Sequence, residues 1–401
     1  MSITQKVYEL DHSISDDDIA VVVRVIFSDP TASVIDGGAY ELLNTTSFGV
    51  GTISIMRVSG EAVVSGDVRG WSTVLKIMDC SEVDESSQVG SPARELAAYE
   101  SGVFRGGESG FRVAEAFGSV RRAGDVAMLW TEDLSFGFEP VRNSFQYVSA
   151  AQAIGQFQGR ALRNGVHRQG WMNHNAGVRR WNSSEMMNLC DLIETHRENA
   201  YVRTALPGGV YDRALRFGDE IRLLTRATDL VPKVISHGDF HARNLFSGIG
   251  GDGDLEIVGI DLASAGIEPV GSDAGGLIGS SLTWGDEEAD LVMAIEEEIF
   301  DSYVAGLRSE GCEVSVDLIR LGYLMSLCGY ARGAASIPGV VAEGLEVGEA
   351  MLTRYGGAKQ MLPYSYRRRV EFAVGVFDEA VELANRLLSS NPNISVSLAP
   401  R

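Results

Sequence analysis

The sequence predicts an α+β chain of two lobes, a small β-rich one followed by a larger, mainly helical one. Three observations predict it. Short segments rich in β-branched and aromatic residues, separated by Gly, Ser or Asp clusters, fill roughly the first third. Beyond Leu134 the apolar spacing turns helical, interrupted by one strand, loop and hairpin. The 401 residues, 45% of them hydrophobic, suffice to bury the cores of two domains. The lobe boundary is placed after residue 133, giving 1–133 and 134–401.

In chain order, "SDDDIAVVVRVIFS" (15–28) predicts a helix, with Ser15 as N-cap and three aspartates favourably placed in the first turn. Strands follow in "YELLNTTSF", "GTISIMRVSG" and "STVLKIMD". A helix in "SPARELAAYESG" comes next, with Ser91 as N-cap, Pro92 at the first helical position and Gly102 near its end. Strands resume in "FRVAEAFGSV" and "DVAMLWTEDL". Helical periodicity then predicts helices over 146–163, 184–198 and 211–228. The strand and loop "VISHGDFHARNLF" (234–246) and the turn-rich hairpin "SGIGGDGDLEIVGID" interrupt them. Helices return near 287–309, 316–333 and 363–389. There is no internal repeat and no low-complexity tract.

Composition narrows the function. A net charge of -21 argues against nucleic acid, whose phosphates need a basic face, and equally against an anionic membrane surface. Cys80, Cys190, Cys312 and Cys328 lie far apart and fit neither a zinc site nor a dense disulfide scaffold. The N-terminal stretch has no basic and apolar signal pattern, and no run of roughly 18 apolar residues could span a bilayer. A soluble, cytoplasmic protein is expected. Only four lysines occur, so a well-placed lysine stands out.

The chemistry concentrates in 234–261. Asp239 and Asn244 are spaced D-x-x-x-x-N, and Asp261 ends the apolar strand "LEIVGID". An acid, an amide and a second acid on adjacent loops suit phosphoryl transfer. There, carboxylate and amide oxygens hold Mg²⁺ on the nucleotide phosphates, and a further carboxylate orients the attacking hydroxyl. Taken alone, D-x-x-x-x-N also describes polar residues capping a turn. The histidines at 237 and 241 and the later I-D distinguish this stretch.

"HGDFHARN" followed by "IDLASAG" resembles the aminoglycoside phosphotransferase and choline kinase family, relatives of the protein kinases. The resemblance implies a bilobal protein-kinase-like fold. It also implies an O-phosphotransferase that uses ATP or GTP with Mg²⁺, with Asp239 as catalytic residue and Asn244 and Asp261 as metal ligands. His237 would orient the loop, and His241 would stand with the nucleotide-binding residues. "IEPVGSDAGGL" resembles a further family stretch, which implies that Asp273 is a buried acid bracing the catalytic loop through backbone N–H groups.

The first lobe offers an independent check. Such a fold needs a strand lysine for the α/β-phosphates and a helix glutamate to hold it. Lys76 lies in the apolar strand "STVLKIMD", where an unpaired charge is costly. Glu95 follows nineteen residues later in "ARELAAYE", which resembles the R-E-x-x-x-Y helix of many family members; Glu100 is the other candidate on that helix. A snorkelling lysine and a solvent-facing glutamate are the plainer alternative. "MLWTEDL" resembles a hinge whose backbone from Thr131 to Leu134, including Glu132, would meet the adenine edge. "TSFGVGT" offers Gly49 and Gly51 for a loop over the phosphates, without the full G-x-G-x-x-G.

From residue 245 to Leu307 the chain has fourteen Asp and Glu and no Lys, Arg or His. The cluster Asp286, Glu287, Glu288 and Asp290 would draw a cationic acceptor, such as an aminoglycoside-like or amino-alcohol compound, by its field. Acids at a helix start also favour the dipole without any ligand. Two rivals stand beside this reading: a kinase of Ser or Thr in a ribosomal precursor peptide, and a non-catalytic pseudokinase scaffold. The stretch 171–187, "WMNHNAGVRRWNSSEMM", reads as a lid or acceptor-side wall, or as a packed connection. The run Arg367–Arg369 reads as helix surface.

Overall fold

A computed structural model describes residues 14–36, 38–44, 51–81, 90–105, 110–122, 125–165, 169–175, 177–178, 184–250, 253–284, 288–345 and 362–390. Packing divides the chain into two compact units, Met1–Gly107, Arg112–Glu139 and Gly248–Ser264 in the first, and Glu108–Phe111, Pro140–Ser247 and Ala265–Arg401 in the second. The first is mainly strand and the second mainly helix, so the α+β expectation holds. The segment 248–264 packs with the first unit although its sequence neighbours belong to the second.

In the first unit the antiparallel sheet runs in the order Ser33–Val34, Thr52–Val64, Asp67–Asp79, Val126–Glu132, Ala116–Arg121, with Ala39–Asn44 also paired to Thr52–Val64. The two central strands have 13 residues each, longer than the sequence periodicity indicated. The dipeptide Ser65–Gly66 joins them directly, both residues at positive φ, which matches the twist of a tight hairpin. Alternation along Asp67–Asp79 buries Trp71, Leu75 and Ile77 in one apolar cluster with Ile19, Val22 and Val23 of the helix Asp16–Ile26. Because successive strand residues point to opposite faces, Lys76 projects away from that cluster. Ser15 caps the helix with a full capping box, its hydroxyl accepting from the Asp18 N–H while Asp18 accepts from the Ser15 N–H.

The second unit contains a small sheet in which Lys233–Ser236 pairs antiparallel with Gly266–Pro269, and Gly266–Pro269 pairs parallel with Asn173–His174. The described start of the 171–187 stretch is thus a packed strand; Arg179, Arg180 and Trp181 lie outside the described residues. Helices Ser144–Asn164 and Glu296–Ser309 cross closely through small residues. A Cβ on Gly155 would lie 2.4 Å from the Tyr303 carbonyl oxygen, and one on Gly306 2.2 Å from that of Gln152.

Three helical expectations need correction. The span 211–228 is two helices, Gly209–Ala214 and Phe217–Ala227. The span 287–309 is also two, Ala289–Ala294 and Glu296–Ser309. The helix from 316 runs on through Gly333 and Pro338 to Glu343. A proline there costs about 3 kcal/mol. Ile337 and Val340 are buried on either side of it, and that packing carries the helix through. The expected surface run Arg367–Arg369 is also corrected: Arg369 is buried against the Tyr366 ring, with its centroid 4.8 Å away. Consecutive helical residues turn by roughly 100°, so three in a row cannot share an exposed face.

Candidate functional site

The first group of site residues lies in the strand-rich unit. Lys76 Nζ donates to Glu95 Oε2 at 2.7 Å and to Asp261 Oδ1 at 3.1 Å. Glu95, not Glu100, takes the lysine; Glu100 accepts from the Ser119 hydroxyl instead. The Lys76 and Glu95 side chains are 13% and 3% exposed and Asp261 39%, so only Asp261 offers a wetted carboxylate. Burial alone would lower the lysine pKa, but the Glu95 and Asp261 carboxylates outweigh it and hold the ammonium above its ordinary value. One cation between two anions leaves an excess negative charge in a dry place. Burial, with Asp261 adding, therefore pushes Glu95 up to about 7 against the pull of Lys76.

Asp261 takes a left-handed backbone, with φ of +65°, which only Gly, Asn and Asp visit routinely. The short helical turn Leu262–Ser264 follows it and is tied to the helix Pro92–Ser101. The Ala263 carbonyl accepts from the Ser91 N–H at 2.9 Å and from Arg94 Nη1 at 2.7 Å, while Glu95 accepts from the Leu262 N–H. Sequence reasoning quoted Arg94 but gave it no role.

Elsewhere in this unit the outcome is mixed. Gly49 lies outside the described residues. Gly51, at φ +75°, has a packing reason: a Cβ there would lie 2.6 Å from Pro92 Cγ and 2.7 Å from the Asp79 carbonyl oxygen. The Glu132 side chain is held by Arg112, which also pairs with Glu256, and its N–H donates to the Glu115 carbonyl at 2.8 Å. That backbone N–H of the expected hinge is therefore already paired, and Leu134 is buried. Asp133, between them, is held by Arg57, Ser72 and Ser135.

The second group lies in the helical unit. Asn244 Nδ2 donates to the Asp239 carbonyl oxygen at 3.1 Å and to Asp239 Oδ2 at 3.2 Å, which turns the amide oxygen of Asn244 away from the aspartate. His241 Nε2 stands 3.4 Å from Asp239 Oδ2, against the same pair. Asp273 braces the loop from beneath. It accepts from Ser236 Oγ at 2.7 Å, from the backbone N–H of His237 at 3.0 Å and of Gly238 at 3.1 Å, and from Gln158 Nε2 at 2.8 Å. Burial pushes its carboxyl up, opposed by His237 and these donors. His237 is fully buried, edge-on to the Phe240 ring.

Gln158 is the residue that sequence reasoning missed. Its Oε1 accepts from the Tyr303 hydroxyl, which in turn accepts from the Gly271 N–H at 2.9 Å. A signal was present: Tyr147, Ala151, Ile154 and Gln158 follow helical spacing, so a glutamine occupies a buried stripe.

The two metal-ligand candidates are hard oxygens: the Asp261 carboxylate belongs to the first unit and the Asn244 amide oxygen to the second. Among the described residues no three His, Cys, Asp or Glu form a metal-holding cluster. Each of these hard oxygens suits Mg²⁺, which keeps several waters and phosphate oxygens beside one or two protein ligands. Of the acceptor candidates, Asp286 and Glu287 lie outside the described residues. Glu288 precedes the helix Ala289–Ala294, and Asp290 is paired with Arg368 on the surface. No helix among the described residues is long and apolar enough to cross a membrane.

No protein-family model and no curated protein matches the sequence. Among solved structures, the chain is similar to a choline kinase from Cryptosporidium parvum, with a TM-score of 0.47 and 9% identity over 87% of this chain and 93% of that one. It is also similar to an ethanolamine kinase from Plasmodium vivax, with a TM-score of 0.44 and 12% identity over 79% and 81%. A third is an aminoglycoside phosphotransferase from Streptomyces rimosus in complex with ADP and streptomycin, with a TM-score of 0.37 and 15% identity over 73% and 92%.

Proposed function

We propose that the protein is a nucleotide- and Mg²⁺-dependent phosphotransferase acting on a hydroxyl group of a small molecule. The observation that carries this reading is the trio of buried Lys76 and Glu95 with half-exposed Asp261. A lysine stripped of water and held by two acids is a costly arrangement unless its charge is used, and binding phosphate oxygens uses it.

Under this reading Lys76, oriented by Glu95, binds the α/β-phosphates. Asp261 and the Asn244 amide oxygen hold Mg²⁺, which when bound offsets the charge of the transferring group. Asp239 orients the acceptor hydroxyl and takes its proton as the hydroxyl oxygen bonds to the γ-phosphorus and the bond to the β-phosphate oxygen breaks. The Asn244 amide fixes the Asp239 carboxylate for that task. Backbone groups between Glu132 and Leu134 receive the adenine edge, with Gly49 and Gly51 over the phosphates and His241 beside them. His237 and Asp273 hold the loop.

For the acceptor we propose a cationic alcohol, drawn by the acids that precede the helix Ala289–Ala294. Asp290 contributes less than its charge, because Arg368 neutralises it. The test is ADP release with Mg-ATP across a panel of aminoglycosides, amino alcohols and neutral alcohols. Amine-bearing acceptors should turn over in preference and lose that preference at high salt. Replacing Asp239 by Ala should abolish transfer and leave nucleotide affinity largely intact; near-normal turnover in that variant would refute the assignment.

A further inference from the structure

We infer that Arg94 is a positioning residue for Asp261: it clamps the turn after that aspartate and so fixes where the carboxylate meets a divalent cation. The inference rests on the phosphotransfer reading above and adds to it a residue outside the phosphate, metal and acceptor groups.

The argument starts from backbone strain. Asp261 is held at φ +65°, in the left-handed region, which even an aspartate keeps only where its surroundings favour it. On one side its carboxylate meets Lys76. On the other, the chain enters the turn Leu262–Ser264, and the Ala263 carbonyl takes two donors, the Ser91 N–H and Arg94 Nη1. Arg94 is 3% exposed, and its hydrogen bond is charge-assisted, so it is the stronger of the two. The neighbouring Glu95 holds both Lys76 and the Leu262 N–H. Two consecutive residues of one helix thus fix the two residues that follow Asp261. Without Arg94, Ser91 alone holds the Ala263 carbonyl, and the turn can relax toward an ordinary backbone. The carboxylate then moves, while Lys76 and Glu95 keep their own pairing.

That asymmetry is the test. Binding of Mn²⁺ to the nucleotide-loaded protein, read by electron paramagnetic resonance, is measured beside nucleotide affinity in EDTA, read by calorimetry. Arg94→Met should weaken the metal about tenfold or more, the usual scale for a residue that orients a ligand. Metal-free nucleotide affinity should stay at the wild-type value, and Arg94→Lys, which keeps one charged donor, should recover part of the loss. Should Arg94→Met fail to fold, Arg94→Gln, whose amide is too short to reach Ala263, supplies the same comparison. A folded variant with wild-type Mn²⁺ affinity overturns the inference. So does one that loses metal-free nucleotide affinity by the same factor, since that marks a general structural role. If the wild-type protein binds neither nucleotide nor metal, the phosphotransfer reading fails first, visibly and before any variant is made.

Discussion

Gln158 Nε2 donates to Asp273 Oδ2 at 2.8 Å, so a neutral amide from one helix completes the set of donors around the acid beneath the 237–244 loop. Through its other end the same side chain receives the Tyr303 hydroxyl. One amide therefore ties two crossing helices to the loop.

Replacing Gln158 by Leu should cost about 1–3 kcal/mol, because a buried carboxylate and a buried hydroxyl each lose a partner. Urea denaturation measures it. Turnover should also fall in the folded variant, since the Asp273 bonds to the loop N–H groups loosen. An unchanged midpoint with unchanged turnover would show that the amide only fills space.

Gly306→Ala tests the crossing itself. A Cβ there would stand 2.2 Å from the Gln152 carbonyl oxygen, so the helices must part. Overpacking of this kind costs about 1–3 kcal/mol. Thermal melts should show the loss, and Ala at nearby Gly311, where nothing lies within 4 Å but φ is +78°, should show only backbone strain.

The pH dependence of stability should carry the signature of Glu95. Its folded pKa is raised to about 7 from an ordinary 4.5, so the native chain holds a proton between those values that the unfolded chain has released. The group's contribution is therefore largest on the acid side and is lost as pH rises through about 7. Relative to Glu95→Gln, the wild type should lose stability between about pH 4.5 and 7, with a slope approaching one proton, and level off above that. A constant difference across that range would contradict it.

Asp133 should act in the opposite sense. Burial would raise its carboxyl, but Arg57, Ser72 and Ser135 outweigh burial and lower it below 3.8. Its stabilisation is present above the unfolded value and is lost as pH falls through the folded one. Asp133→Asn should flatten the acid limb of the stability curve, measured by denaturation between roughly pH 2 and 5.

Much of the fold was legible because local chemistry and tertiary packing agree there. Ser15 and the three aspartates after it announced a capped helix, and Pro92 and Gly102 bracketed another. Lys76 was legible because a charge in an apolar strand demands a partner, and Glu95 stood within reach. Other features were hidden where packing overrides local preference. Gly333 and Pro338 look like breakers, yet the helix through them is buried. Gln158 resembles any surface glutamine until its place on an apolar stripe is noticed. The tie between Arg94 and Ala263 spans 169 residues of sequence, and no local pattern announces it.

The left-handed backbone at position 261 also limits how this chain can drift. Asparagine would keep the bend while discarding the charge, and glycine would keep it while discarding the side chain altogether. Most other replacements would disturb the turn as well as the chemistry. Descendants that abandon the reaction but remain folded should therefore carry Asn or Gly there more often than Ala or Ser.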